Sequence, residues 1–209
     1  VSGDTVFVGG IFRFIGSESR NYIAAVTAGT GAVLDWNPDA QGWVSTLALA
    51  GTTIFAGGLF TTIGGQPRAN LAALDATTGL ATEWSATANA RVYSMAVLGD
   101  SALCVGGLFS QVSGQVRHGL AMLDLANGAV LPWNPDLSSV EWTTARTTPV
   151  WALTPFGNTL YVGGHFGRTG VVPAGNLVAF SFAPPTPEPL PTPATVALAP
   201  IAPNPVVAD

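Results

Sequence analysis

Short apolar segments separated by glycine-rich and polar turns recur along most of this chain. Three of them read YIAAV, LAALD and LAMLD, and each is bounded by residues that interrupt regular structure. Such short segments are typical of buried β-strands, because helices usually run for about ten residues or more. The pattern therefore predicts an all-β protein.

The apolar segments belong to a repeat of fixed register. The first glycine of a Gly-Gly pair is followed three residues later by Phe, and in the first three units an Arg comes eight residues after this Phe and a Trp sixteen after the Arg. The pairs are Gly9-Gly10, Gly57-Gly58, Gly106-Gly107 and Gly163-Gly164, and the tryptophans are Trp36, Trp84 and Trp133. A repeat of about 40 to 50 residues with several short strands is typical of a β-propeller blade.

The second unit can be written as four strands, over residues 44–50, 53–60, 71–75 and 82–86. Thr78-Gly79 lies between the third and the fourth, as a small polar residue and glycine do in a tight turn. Applied to the whole chain, this template predicts a partial unit over 1–39, full units over 40–88 and 89–136, and a partial unit over 137–182. The fourth unit begins with an insertion of about nine residues relative to the template.

The repeat resembles the kelch type and related secreted bacterial β-propeller repeats. The matching features are the Gly-Gly pair that ends the second strand, the Leu-Asp of the third, the Thr-Gly turn and the tryptophan of the fourth. The resemblance covers residues 1–182 and implies a β-propeller of four-stranded antiparallel blades, incomplete in this chain. It implies no single function, because such propellers include sugar oxidases, lectins and scaffolds. The fourth unit departs from the pattern, with Ala174 in place of the arginine and no tryptophan.

The two ends of the repeat region fall within units. The first unit lacks an inner strand and the last an outer strand, so we expect a longer native chain, or another copy, to supply them. Residues 183–194 are a proline-rich linker, which favours an extended polyproline II spacer. Residues 195–209 contain IAPNPV, which resembles the opening of the C-terminal sorting domains of type IX secretion; a plain proline-rich tail is the alternative.

The composition mainly argues against certain partners and locations. The net charge is −5, the chain has no lysine and charged residues make up 9%, which argues against nucleic acid as a partner. No apolar run reaches the length of about 18 to 20 residues that spans a bilayer, so membrane insertion is not expected. We expect an extracellular or cell-surface protein. The single cysteine, Cys104, occupies a slot that Phe or Tyr fills in the other units and is predicted to be a core residue.

Few residues suggest chemistry. His118 and His165 lie in different contexts without further ligands at metal-binding spacing, so neither a metal nor another cofactor is predicted. Asp75 and Asp124 end equivalent strands, where an aspartate commonly caps the following turn. The acids and histidines are scattered through turns, and we therefore expect no enzyme.

The repeat tryptophans could stack on sugars, but one per unit at a fixed register favours a wedge between neighbouring blades. The arginines of the loops between the second and third strands are the other candidates. In an antiparallel blade these loops share a face with the insertion, so the candidate binding face contains Arg20, Arg68, Arg117, Glu141, Trp142 and Arg146. The arginines could bind carboxylates or sulfates of a glycan. Alternatively, each fixes its own loop to a nearby carbonyl, or to Asp39 or Asp136.

Two functional hypotheses follow. The first is a non-enzymatic structural, adhesion or assembly module whose partners are other protein chains or copies of itself. The second is an extracellular carbohydrate-binding module that uses the loop arginines and Trp142. An exposed Trp142 beside a pocket would favour the second, whereas an insertion packed against another chain would favour the first.

Overall fold

The computed structural model describes residues 2–138, 148–182 and 194–196, and these form 21 β-strands and no helix. The strands are β1 (Thr5–Gly9), β2 (Phe14–Ile15), β3 (Glu18–Ser19), β4 (Ile23–Thr27), β5 (Gly42–Ala50), β6 (Thr53–Phe60), β7 (Thr62–Ile63), β8 (Gln66–Pro67), β9 (Leu71–Asp75), β10 (Val92–Leu98), β11 (Ala102–Gly107), β12 (Gln111–Val112), β13 (Gln115–Val116), β14 (Leu120–Asp124), β15 (Leu137–Ser138), β16 (Val150–Phe156), β17 (Thr159–Gly164), β18 (Arg168–Thr169), β19 (Val172–Pro173), β20 (Leu177–Ser181) and β21 (Ala194–Val196). The pairings are antiparallel throughout. The all-β prediction is confirmed.

Four main sheets follow one another along the chain. The first contains β1 and β4, the second β5, β6 and β9, the third β10, β11 and β14, and the fourth β16, β17, β20 and β21. We call β5, β10 and β16 the leading strands, β1, β6, β11 and β17 the middle strands, and β4, β9, β14 and β20 the trailing strands. A small hairpin connects each middle strand to its trailing strand, formed by β2–β3, β7–β8, β12–β13 and β18–β19.

The second sheet tests the strand prediction in detail. The predicted bounds of β6 and β9 are confirmed, and β5 begins two residues earlier than predicted, at Gly42. The predicted fourth strand over 82–86 is wrong, because after a single bridge between Leu74 and Ala81 the chain leaves the sheet. The reason is competition: the Thr82 carbonyl accepts a hydrogen bond from an arginine side chain, and the Trp84 ring turns into the core.

The outer edge of the fourth sheet is occupied. β21 pairs with β20, with Ala179 opposite Val196 and Ser181 opposite Ala194. The prediction that this unit lacks an outer strand is therefore wrong, and the strand that fills the place begins at the last residue of the predicted linker. The first sheet, by contrast, has no leading strand within the described residues.

Each leading strand contains a bulge, and the valine before it packs on the preceding sheet. The bulges follow Val44, Val92 and Val150. A Cβ placed on Gly9, Gly57 or Gly106 would lie 2.8, 2.8 or 2.6 Å from Cγ1 of Val44, Val92 or Val150, respectively. The first glycine of each of these pairs is therefore required by close contact between consecutive sheets.

The second glycine of each pair serves its own sheet. A Cβ on Gly58, Gly107 or Gly164 would overlap the backbone carbonyl oxygen at the start of the neighbouring leading strand. A Cβ on Gly10 would contact only the Phe12 ring among the described residues, at 3.1 Å, because the first sheet has no leading strand there. The Gly-Gly pair thus combines two different steric requirements in adjacent positions.

The core consists of three apolar clusters, each between two consecutive sheets. The first cluster joins Ile23 and Ala25 to Ile54, and the second joins Phe55 to Leu103 and Val105. The third joins the third and fourth sheets, with members that include Cys104, Leu120, Met122, Leu160, Val162 and Phe180. The middle and trailing strands therefore carry apolar side chains on both faces. In the described part of the chain the sheets form a series that does not close into a ring.

Candidate binding surface

The three repeat arginines make the same contacts in each unit. Each NH1 group donates to the carbonyl oxygen of the preceding residue, at 2.8 to 3.0 Å. Each NH2 group donates to the carbonyl oxygen fourteen residues later: Arg20 to Leu34, Arg68 to Thr82 and Arg117 to Leu131, at 2.9, 2.8 and 3.0 Å. Each guanidinium thus ties the hairpin of its unit to the segment that follows the trailing strand.

Arg117 is the most buried of the three repeat arginines, with 8% of its surface exposed. Removal from solvent lowers the pKa of its guanidinium. An arginine buried against two carbonyl oxygens has little surface left for an external anion. The contacts therefore favour the alternative in which the arginines serve their own loops through carbonyl groups.

The other members of the predicted face are placed differently. Glu141, Trp142 and Arg146 lie outside the described residues. Asp39, which was considered as an arginine partner, instead accepts a hydrogen bond from Asn21 Nδ2 at 2.6 Å. Among the described members of the predicted face, each arginine side chain therefore contacts carbonyl groups of its own unit.

The repeat tryptophans are interlocked with the next sheet. Trp36 and Trp84 are about 5% exposed, and their Nε1 groups donate to the carbonyl oxygens of Asp75 and Asp124 in the following unit, at 3.1 and 3.0 Å. Their rings make edge contacts with a phenylalanine of their own unit. The wedge interpretation is confirmed for these two residues.

Trp133 is also buried but has a different neighbourhood. Its own sheet carries Cys104 in the slot that Phe7 and Phe55 fill elsewhere, and the ring packs on Phe180 and Phe182 of the fourth unit, with centroids 5.2 and 5.7 Å away. The two phenylalanines thus take the place of the missing ring. The thiol is fully buried, which raises the pKa of Cys104 and keeps it protonated and inert. The prediction of a core cysteine is confirmed.

Asp75 and Asp124 cap the turns that follow their strands, as predicted. Asp75 Oδ1 accepts hydrogen bonds from the backbone N–H groups of Thr77 and Thr78, and Asp124 Oδ1 accepts from those of Ala126 and Asn127. The hydrogen bond from the Thr78 backbone N–H has the largest effect on the pKa of Asp75, followed by the bond from the Thr78 hydroxyl. Both lower this pKa below its usual value. These carboxylates are acceptors of a structural turn.

Neither histidine gathers ligands. Within the described part of the chain there is no group of three or more His, Cys, Asp and Glu side chains at metal-binding distance. His165 stacks on Trp151, with ring centroids 6.4 Å apart and planes 7° from parallel. The described neighbour of the His165 ring is therefore an aromatic side chain.

A shallow groove lies between the first two units. It has a volume of about 480 Å³ and is lined by the Asn37–Asp39 segment, the β7–β8 hairpin and the turn at Gly79 and Leu80. The Pro38 ring packs over this turn, where a Cβ on Gly79 would lie 3.3 Å from Pro38 Cγ. The groove is a consequence of how the tryptophan-containing loop rests on the next unit.

The sequence prediction missed a surface that runs across the starts of the leading strands. We call it the aromatic strip; its members are Trp43, Leu59, Arg91, Tyr93, Trp151 and His165. Trp43 and Arg91 occupy equivalent places before the bulges, and Tyr93 and Trp151 are themselves the bulged residues. Leu59 and His165 each follow a Gly-Gly pair.

Arg91 joins the second and third sheets within the strip. Its guanidinium carbon lies 5.0 Å from the centroid of Trp43 and 5.1 Å from that of Tyr93. Its Nε and NH2 groups donate to Ser45 Oγ at 3.1 and 2.9 Å. The one signal in the sequence was that Trp43 and Trp151 lie outside the register of the repeat tryptophans.

A second exposed surface is the outward face of the fourth sheet, which we call the end face; it contains Ala152, Thr154, Tyr161, Gly163 and Leu177. Tyr161 is 38% and Leu177 45% exposed. A Cβ on Gly163 would find only Ala152, at 3.8 Å, where the other first glycines find a valine. The end face thus carries a vacant counterpart of the contact that joins the preceding sheets.

Comparison with protein-family models and with curated proteins gives no match to this chain. Among solved structures, the chain is similar to the crystal structure of the computationally designed Ika8 protein, with a TM-score of 0.45 and 15% identity. The alignment covers 76% of this chain and 39% of that protein. At this level of similarity the likeness supports no conclusion about function.

The described residues contain no helix of the length and apolar character needed to cross a bilayer.

Proposed function

We propose that this chain forms blades of an extracellular or cell-surface β-propeller of kelch-like type, and that it acts as a non-enzymatic structural, adhesion or assembly module. The observation that carries the proposal is the end face. Three interfaces within the chain share one geometry, in which the first glycine of a pair receives a valine from the next leading strand. Gly163 presents the same feature without an occupant among the residues that the structure describes.

The end face differs from an ordinary protein surface in its composition. Positions equivalent to Ala152, Thr154, Tyr161 and Leu177 hold Ser94, Ala96, Cys104 and Leu120 in the third sheet, all of them buried under the fourth sheet. Exposed apolar patches of this kind mark interaction sites. A further sheet of a neighbouring copy or chain would bury the patch in the way that the chain's own sheets bury one another.

The assembly proposal is tested with the full chain in solution. We expect concentration-dependent association, measured by light scattering coupled to size exclusion, and its loss in Tyr161→Lys, which places a charge at the centre of the end face. Leu80→Lys is the matched control, because Leu80 is 60% exposed in a turn outside this face. A wild-type chain that stays monomeric up to millimolar concentration, with Tyr161→Lys indistinguishable from it, would contradict self-assembly through this face.

The alternative, a carbohydrate-binding module that uses the loop arginines and Trp142, receives less support from the geometry. The guanidinium groups of Arg20, Arg68 and Arg117 donate to carbonyl oxygens of their own units. Replacing each arginine separately and measuring glycan binding tests this alternative. It predicts weaker binding, whereas an arginine that serves its loop lowers only the free energy of unfolding.

A further inference from the structure

The aromatic strip is the part of the surface that the repeat does not explain. The repeat tryptophans are 5 to 7% exposed, but Trp43 is 38% and Trp151 57% exposed. A tryptophan that packing requires is covered, as Trp36 and Trp84 are. Trp43 and Trp151 leave much of their rings in solvent, where a large apolar side chain gives the fold little stability.

The strip is also regular. Tyr93 and Trp151 lie at equivalent places, as the bulged residues of β10 and β16, and Trp43 lies two residues before the bulged residue of β5. Leu59 and His165 each follow a Gly-Gly pair. Sheets packed face to face are separated by about 10 Å. Aromatic side chains at intervals of this order match an extended polysaccharide, because every second hexose ring of such a polymer recurs at a similar distance.

The charge of the strip selects among such polymers. Among the described residues the single ion pair within 4 Å is Arg20 with Glu18, at 3.9 Å, so the Arg91 guanidinium has no described carboxylate within that distance. Two of its nitrogens contact Ser45, and the ring faces of Trp43 and Tyr93 hold it in place. A guanidinium positioned in this way offers its remaining N–H groups to a carboxylate.

We propose that the aromatic strip binds an acidic polysaccharide built from hexuronic acids. The apolar face of every second sugar stacks on Trp43, Tyr93 or Trp151, on the ring face that Arg91 or His165 does not cover, and Arg91 pairs with a uronate carboxylate. His165 stacks on one face of Trp151 and supports it. This ligand class uses a surface different from the loop arginines and from the end face, so it is independent of the proposed assembly function.

The test measures binding of a galacturonic acid hexamer to the full chain by calorimetry and tryptophan fluorescence, with cellohexaose as the neutral probe. We expect the acidic hexamer to bind and cellohexaose to bind at least about tenfold more weakly, because only the former engages Arg91. Trp43→Ala and Trp151→Ala should each weaken binding about tenfold or more. Arg91→Gln should remove most of the preference for the acidic probe, and Arg91→Lys should retain part of it.

Phe14→Ala is the matched control, because Phe14 is an exposed aromatic residue on the β2–β3 hairpin and lies outside the strip. It should bind as the wild type does. Circular dichroism melting of each variant separates loss of binding from loss of fold. Measuring the same affinities in the Tyr161→Lys background separates this proposal from the assembly proposal, since one can fail while the other holds.

The proposal is overturned if the wild-type chain binds neither hexamer at millimolar concentration, or if Trp43→Ala and Trp151→Ala bind as tightly as Phe14→Ala. Equal affinity for the acidic and the neutral hexamer overturns the role of Arg91. Recovery of a protein ligand in a Trp43-dependent manner, with no glycan bound, would assign the strip to a protein partner instead.

Discussion

The third and the fourth sheets are built on the same template but have different surroundings. Leu120 in β14 is 1% exposed, whereas its counterpart Leu177 in β20 is 45% exposed. Cys104 is fully buried and its counterpart Tyr161 is 38% exposed. The comparison teaches that in this repeat the burial of a residue depends on the presence of the next sheet as well as on its place in its own unit.

The largest expected difference between the two sheets concerns their leucines. Leu120→Ala removes a fully packed side chain and should lower the free energy of unfolding by about 3 kcal/mol. Leu177→Ala should cost less than about 1 kcal/mol, because the side chain is half exposed. Urea denaturation of both variants checks this. A large loss for Leu177→Ala that grows with protein concentration would mean that another copy covers the end face.

The glycine pair gives a second comparison, in which a side chain is added. Gly106→Val brings a Cβ to 2.6 Å from Val150 Cγ1 and 2.7 Å from Ser94 Oγ, and should destabilise the fold by about 2 kcal/mol. The Cβ of Gly163→Val meets no described atom closer than 3.8 Å, so this variant should change stability by less than about 0.5 kcal/mol. Thermal melting measured side by side would refute the vacant-contact interpretation if the two losses were equal.

The arginine position differs between the same two units, since Ala174 stands where the third unit has Arg117. Arg117→Ala removes the side-chain hydrogen bonds to the carbonyl oxygens of Val116 and Leu131 and should cost about 1 to 2 kcal/mol. Ala174→Ser is a matched control that should change little. If Arg117→Ala melts at the wild-type temperature, the arginine has no structural role in its loop.

The smallest effect concerns the pH dependence of stability at the last residue of the trailing strand, which is Asp75 in the second unit and Ser181 in the fourth. Hydrogen bonds lower the pKa of Asp75 in the folded state, so its contribution is present above the unfolded-state pKa and is lost as pH falls through the folded-state value. The difference in stability between wild type and Asp75→Ser should therefore be constant near neutral pH and shrink as the pH falls through the lowered folded-state pKa of Asp75. A difference that persists in strong acid would show that the carboxylate charge is irrelevant.

The strands that could be predicted from the sequence are those whose ends carry a breaker. β6 and β9 were predicted at their observed bounds, because glycine, asparagine and turn residues limit them on both sides. The fourth strand of the second unit could not be predicted correctly, because its Thr82 carbonyl accepts a hydrogen bond from the Arg68 side chain and its Trp84 ring is buried in the core. Such long-range competition leaves no trace in local propensity.

The candidate surfaces were less predictable than the strands. The arginines were identified from their register, but register alone does not distinguish a guanidinium directed at a carbonyl from one directed at solvent. The aromatic strip depends on bulges that bring Tyr93 and Trp151 to equivalent places, and these bulges are visible only once strand pairing is known. Similarly, nothing in the sequence distinguishes the exposed Tyr161 from the buried Phe55, which fills the same slot.

The reactivity of the single cysteine reports how often one interface of the protein opens. Cys104 is sealed at the contact between the third and fourth sheets, and a thiol reagent can reach it only when that contact separates. The rate of its alkylation in native buffer therefore reports how often the last sheet lifts from the series, without any engineered label. Because the other clusters contain no thiol, alkylation that is faster than unfolding of the whole chain reports opening at this one interface.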